Sequence, residues 1–227
     1  VCIVIWVLST GSSVTQGRLI TSTIAAILML SSVVIIGYLG QLSLANLTFA
    51  GVAAYLSSRL AADGSVYGFS AFALEGPGLP SPIAMLLGVC IAVAVGLLIA
   101  IPAVRIRGLQ LAVVTLAGAV AITEIVMGNE SLIGKGAQSN LSVPPPQWFG
   151  VDITVDPSIS RDRPTLIVFC CIWLLLCIIA VVGIRNGVTG RKFLAVRSNE
   201  RAASSLGVNV AGAKLLGFGI GSALAGV

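Results

Sequence analysis

The sequence predicts an all-α, polytopic transmembrane helical bundle, truncated at both ends. Three observations predict it. Hydrophobic residues make up 57% of the 227 positions and charged residues only 9%, whereas a soluble domain carries about a quarter charged residues; lipid must therefore be the solvent for much of this chain. Apolar stretches close to the roughly 20 residues that a bilayer crossing requires recur along it. The polar connections between those stretches alternate in charge.

The run over residues 1–8 begins without Met and without a basic n-region, so it reads as the end of a spanning helix rather than a signal peptide. Spans follow at 19–39, 44–62, 83–101, 108–127 and 165–184, and a sixth begins near Lys214 and continues to the last residue. The 44–62 span is the weakest, because Asn46, Thr48, Ser57 and Ser58 interrupt it, and only Gly40-Gln41-Leu42-Ser43 joins it to its predecessor. So tight a connection reads as a hairpin or a broken helix, whose freed backbone groups must be buried in protein or face a water-filled cavity.

Loop charge orients the spans. Residues 102–107 carry Arg105 and Arg107, and 185–214 carry Arg185, Arg191, Lys192, Arg197, Arg201 and Lys214 against Glu200 alone. Both are cytoplasmic under the positive-inside rule. The 63–82 loop has Asp63 and Glu75 with no base, and 128–164 has Glu130, Asp152, Asp156 and Asp162 against Lys135, Arg161 and Arg163. Both fit the outside. Alternation then puts the 40–43 turn inside and Arg18 outside. Residues 1–227 thus read as one membrane domain with two outer loops and a cytoplasmic loop at 185–213.

Several chemistries drop out. There is no histidine, which removes histidine-based triads, most zinc catalysis and the usual pH switch. Cys2, Cys90, Cys170, Cys171 and Cys177 all lie in apolar runs without a C-x-x-C spacing and read as small hydrophobes. Gly128-x5-Gly134-Lys135-Gly136 is one residue too long for a P-loop and has glycine where Ser or Thr must bind magnesium. Gly217-x3-Gly221 reads as close helix packing, and Pro144-Pro145-Pro146 as a stiffened loop. No catalytic residue, cofactor, metal or nucleic-acid partner is expected.

Two groups of residues invite a function. In the cytoplasmic loop, Phe193, Leu194, Val196, Ala203 and Leu206 approximate helical spacing, with Arg191, Lys192, Arg197, Glu200 and Arg201 at polar positions and Gly207 as a helix stop. This is either a basic amphipathic helix on anionic headgroups or a docking helix for a cytoplasmic partner. Within the spans, Gln41, Ser43, Asn46 and Thr48 offer hydrogen bonds to a polar solute, and Gly37, Gly40 and Gly51 permit close approach; ordinary helix packing uses the same residue types. Glu124 is costly if it faces lipid, so it lines a path or pairs with a base at the outer interface.

The cytoplasmic pattern Glu200-x-Ala202-Ala203-x-x-x-Gly207 resembles the EAA-type loop of ABC importer permeases, and its surroundings, Ala195-Val196-Arg197-x-Asn199-Glu200-Arg201 through Asn209, resemble the branched-chain amino acid permeases in particular. Lys214-Leu215-Leu216-x-Phe218 continues that pattern. Three further collinear blocks agree: Gly37 to Tyr55, Arg105 to Ala117, and Glu124 through Gly134 and Gly136 to Gly150.

The resemblance implies a permease subunit of a bacterial inner-membrane importer. It carries branched-chain or related amino acids, and separate ATPase subunits hydrolyse the ATP. A second, different permease subunit and an extracytoplasmic solute-binding protein complete the set of partners. It further implies a coupling role for Arg191, Lys192, Arg197, Glu200 and Arg201 as docking charges, with Ala202, Ala203 and Gly207 allowing a close fit. Gly40, Gln41, Ser43, Asn46, Thr48, Thr115 and Glu124 fall on the path, and Gly134 and Gly136 in the outer loop.

The chain departs from the family pattern at Ala45-Asn46 and at Ile133 to Gln138, where solute would pass. Urea or short-amide permeases share the same blocks and are the nearest alternative. A secondary transporter is the more distant one, since among the spans only Glu124 approaches an intramembrane ionisable residue.

Overall fold

The computed structural model describes residues 13–41, 43–61, 63–67, 74–77, 79–104, 106, 109–127, 147–148, 151–152 and 164–227. Helix α1 (Ser13–Ser32) runs into a π-helical segment (Val33–Tyr38), and the two form one apolar span, Val14–Tyr38. After a break come α2 (Asn46–Ala61), α3 (Ser81–Ala103), α4 (Leu109–Met127) and α5 (Pro164–Asn186). Two short helices follow, α6 (Val188–Ser198) and α7 (Glu200–Ser205), and then α8 (Val210–Gly226). The expected spans are all helices, and the chain is an all-α helical membrane bundle. The apolar run at 1–8, Arg105, Arg107, the P-loop-like stretch, the triple proline, Gly134 and Gly136 lie outside the described residues.

Three helices, Val14–Tyr38, Ser81–Pro102 and Thr165–Asn186, are long and apolar enough to cross a membrane, and Gln110–Val126 and Val210–Gly226 are shorter. Helix α2, with 16 residues, reaches about 24 Å against about 30 Å of hydrocarbon. Pro80 precedes α3, and Pro102, which lacks a donor and so cannot sustain the helix, sits in its last turn. Two small antiparallel ribbons lie between helices: β1 (Asp63–Tyr67) with β2 (Leu74–Pro77), pairing Val66 with Glu75, between α2 and α3, and β3 (Gln147–Trp148) with β4 (Val151–Asp152) between α4 and α5. They are local hairpins and leave the helical class unchanged.

Helix α8 is the axis of the bundle, because its small residues let neighbours reach its backbone. A Cβ at Gly217 would stand 2.7 Å from Leu39 Cδ2, and one at Gly221 would overlap the side chain of Ile35. On another face a Cβ at Gly96 of α3 would overlap Ser222, and one at Gly226 would meet Ala53 and Ala92. These contacts run α8 antiparallel to both α1 and α3. Three apolar clusters surround it. Val34, Leu39, Val181, Phe193 and Val196 belong to the first, Ile35, Leu111 and Phe218 to the second, and Ala45, Phe49, Ile99 and Ala225 to the third. Leu86, Leu98 and Ile101 of α3, Val113 and Ile125 of α4, and Leu175 and Ile179 of α5 are exposed, a surface that suits lipid rather than water.

Candidate functional site

The first candidate region is the break between α1 and α2. Val33, Val34, Ile35 and Ile36 form a run of β-branched residues, which crowd an α-helix, and here the helix widens: Leu39 N–H donates to Val34 O at 3.2 Å and Gln41 N–H to Ile35 O at 3.1 Å. Gly40 then adopts φ +69°, a left-handed conformation that favours glycine. The chain turns back, so that Asn46 at the start of α2 stands beside Ser32, with Asn46 Nδ2 donating to Ser32 Oγ at 2.7 Å. The tight connection is therefore a hairpin, and its freed donors are answered inside the protein. Leu44 N–H donates to Thr115 Oγ1 at 3.4 Å, Thr115 Oγ1 donates to Ala112 O at 3.0 Å, and Ala45 N–H donates to Ser43 Oγ at 3.4 Å.

Gln41, Ser43, Asn46 and Thr115 are thus all buried at this break, and Thr48 is half-buried two residues beyond Asn46. Among the described residues, Asn46 Oδ1, Gln41 Oε1 and Ser31 Oγ are buried without a hydrogen-bond partner. Native interiors seldom leave such atoms unpaired. A polar solute or water passing here would find acceptors already desolvated.

The second region is the segment between α5 and α8, α6 with α7. A single amphipathic helix was the expectation; the structure has two helices split at Asn199. This residue is extended (φ −161°), and its Oδ1 accepts from Arg201 N at 3.0 Å and Ala202 N at 3.2 Å, an N-cap that starts a new helix. The split re-aims the apolar residues. Phe193, Val196 and Ala203 are buried against the bundle, while Leu194 is 46% exposed and Leu206 83% exposed. Gly207 ends α7 with φ +80°, Gly207 N–H donating to Ser204 O and Val208 N–H to Ala203 O, each at 3.0 Å. That pair of bonds is a Schellman cap. Asn209 begins α8, its Oδ1 accepting from Gly212 N at 2.9 Å. Gly190 holds α6 tightly against the carbonyls of Ile184 and Arg185, where no Cβ fits.

Arg191, Lys192, Arg201, Ala202, Leu206 and Gly207 face outward. Glu200 and Ala203 do not share that surface. Ala203 is 3% exposed, and the Glu200 carboxylate turns inward, with Oε1 2.9 Å from Lys214 Nζ and accepting from Gln41 Nε2 at 3.3 Å. Lys214 is 1% exposed, and its ammonium lies close to the carboxylate without a well-aligned hydrogen bond. Arg197 is exposed but reaches back to the bundle, its Nη1 donating to Gly37 O, and its side chain covers Gly40 so closely that a Cβ there would lie 2.8 Å from Arg197 Cγ. The two candidate regions therefore meet at one junction.

Glu124 is not part of it. It is exposed on α4, nine residues beyond Thr115, about 13 Å along the axis. Two other spans contain ionisable groups that the sequence reading passed over in favour of Glu124. One is Lys214. The other is Arg59, 4% exposed in the last turn of α2, with its guanidinium 5.3 Å from the centre of the Tyr55 ring. A charge inside an apolar run was the signal for both. Between α1, α2, α3 and α5 lies a groove of about 440 Å³, lined by Ile24, Leu28, Ala54, Met85 and Trp173 among others. It is mostly apolar, and none of Gly40, Gln41, Ser43, Asn46 or Thr48 lines it.

Comparison with known proteins places this geometry in a family setting. Residues 15–227 match the family model described as branched-chain amino acid transport system / permease component. The chain is 28% identical over 152 residues to the high-affinity branched-chain amino acid transport system permease protein LivM of Salmonella typhimurium strain LT2, covering 60% of this chain and 36% of that protein. It is 29% identical over 151 residues to the protein of the same name from Escherichia coli K12, covering 60% and 35%. The chain thus spans about a third of the length of these curated relatives. No solved structure matches it.

Proposed function

The chain belongs to the family of permease components of branched-chain amino acid transport systems, and from that premise we propose that it is a subunit of an ATP-binding-cassette importer. It would carry branched-chain or related amino acids across the bacterial inner membrane. The observation that carries the coupling role is the outward face of α7. An interfacial helix lays its apolar side on lipid, but here Phe193, Val196 and Ala203 already pack on the bundle. What α7 offers outward is mainly polar, with Arg201, Ser204 and Ser205 beside the small Ala202 and the exposed Leu206. A short, doubly capped helix with one apolar knob suits a cleft on a protein, here the ATPase subunit.

On this reading Arg191, Lys192 and Arg201 supply docking charge, Ala202 allows close approach, and Gly207 holds the cap that presents Leu206. Gln41, Ser43, Asn46 and Thr115 line the inner part of the path, with Asn46 Oδ1 and Gln41 Oε1 offered to the ammonium or amide groups of a solute. An extracytoplasmic binding protein delivers solute to the outer loops, and a second, different permease subunit completes the passage. The test is a Leu206→Asp variant of the intact importer. The ATPase subunit should no longer co-purify with the membrane complex, and ATP-dependent uptake of leucine, isoleucine and valine into proteoliposomes should be lost while membrane insertion is unchanged. Normal co-purification refutes the docking face. Uptake of urea in place of the three amino acids by the unaltered importer refutes the substrate assignment.

A further inference from the structure

The junction between the cytoplasmic segment and the helix break carries an inference of its own, which rests on the coupling role proposed above. Two polar contacts join the same two segments from different helices. At the end of α6, Arg197 donates to Gly37 O and covers Gly40. At the start of α7, Glu200 holds both Gln41 and Lys214. The partners on the bundle side, Gly37, Gly40 and Gln41, are the residues at which the first span widens and turns. Lys214 stands in the second turn of α8, the helix against which that span packs through Gly217 and Gly221.

Three observations separate this from ordinary surface pairing. Lys214 is 1% exposed and Gln41 7%, so the carboxylate that meets them cannot be withdrawn without stranding a charge away from water. The backbone at Gly40 is left-handed and lies against the Arg197 side chain, so a shift of Arg197 bears on the turn itself. Asn199, extended between α6 and α7, holds the two contacts one on each side of a single rigid corner. We infer that Arg197, Glu200, Gln41 and Lys214 form a clasp that passes movement of the docking helix to the break in the first span. They act as positioning residues for transport, and the inward-turned Glu200 is not part of the surface that meets the ATPase.

Hydrogen–deuterium exchange on the assembled importer in proteoliposomes, with and without ATP, tests this directly. The unaltered protein should show ATP-linked changes both at 188–207 and at 37–45. In Lys214→Met and in Glu200→Gln the change at 188–207 should persist and the ATPase should still co-purify, while the change at 37–45 shrinks about fivefold or more, the lower end of coupling between distinct sites. Transport per ATP hydrolysed should fall with it. The exchange Glu200→Lys with Lys214→Glu should restore both, which a merely damaged fold would not. If the 37–45 response is undiminished in Lys214→Met, Glu200→Gln and Arg197→Met alike, the clasp is overturned. It is likewise overturned if the unaltered protein responds at 188–207 and never at 37–45. Absence of any ATP response at 188–207 would instead remove the coupling role on which the clasp rests.

Discussion

Gly207 provides a test in which backbone strain and surface fit predict opposite orders. Its φ of +80° lies in the left-handed region, and a Cβ built there meets nothing within 4 Å. The cost of a side chain is therefore conformational: about 1–2 kcal/mol for alanine, less for asparagine, which tolerates this region, and more for a β-branched residue such as valine. Since about 1.4 kcal/mol is a factor of ten, Gly207→Ala should open the cap about tenfold more often. That cap consists of Gly207 N–H on Ser204 O and Val208 N–H on Ala203 O. Opening it frays α7 and releases Leu206, the 83%-exposed residue at its tip. Amide exchange over 200–208 and uptake by the reconstituted importer should both fall out in the order glycine, asparagine, alanine, valine, from least to most affected. Asparagine is larger than alanine. If Gly207→Asn transports worse than Gly207→Ala, the defect follows volume at the docked surface and the strain argument is wrong.

Three further outcomes are expected. Thr115→Val leaves Leu44 N–H without its acceptor and should destabilise the purified protein by about 1–3 kcal/mol, read as a lower melting temperature, whereas Thr115→Ser should not. Gly221→Leu overlaps Ile35 across the α1–α8 contact, while Gly219 faces Leu97 at an ordinary 3.5 Å; thermal denaturation should show a loss of about 1–3 kcal/mol for the first and little for Gly219→Ala. Glu124→Gln, at an exposed position, should leave the uptake rate unchanged; a marked loss would return Glu124 to the path.

The membrane class, the span positions and the weakness of the 44–62 segment were legible because each depends on composition along the chain. The four-residue link at 40–43 left two readings, a hairpin or a broken helix, and the structure has the hairpin, with Gly40 where the left-handed turn falls. Gly207 as a helix stop followed from residue type. What pattern did not reveal was direction. Asn199 fits an amphipathic helix as well as it fits a cap, and only its extended backbone shows that α6 and α7 are separate, which is why Leu206 points outward and Ala203 inward. Glu200 and Arg197 carried charge in a basic loop and so read as docking residues. Their partners, Lys214, Gln41 and Gly37, are distant in sequence, and a pairing between distant residues leaves no local signal. Arg59 and Lys214 were visible as isolated charges in apolar runs and needed only to be weighed alongside Glu124.

The composition of α8 also bears on how the protein is made. Gly212, Gly217, Gly219, Gly221 and Gly226 each weaken a helix by about 0.5–1 kcal/mol relative to alanine, and a lysine costs about 2.5–3.5 kcal/mol at the centre of an inserting segment, falling toward its end. Taken alone, α8 is a poor candidate for partitioning from the translocation channel into lipid. Gly217 and Gly221 are matched by Leu39 and Ile35, and its lysine by Glu200, all of which emerge earlier from the ribosome. The helix that organises the finished bundle is thus expected to enter the membrane by joining segments already there, with the order of synthesis supplying the surface that receives it.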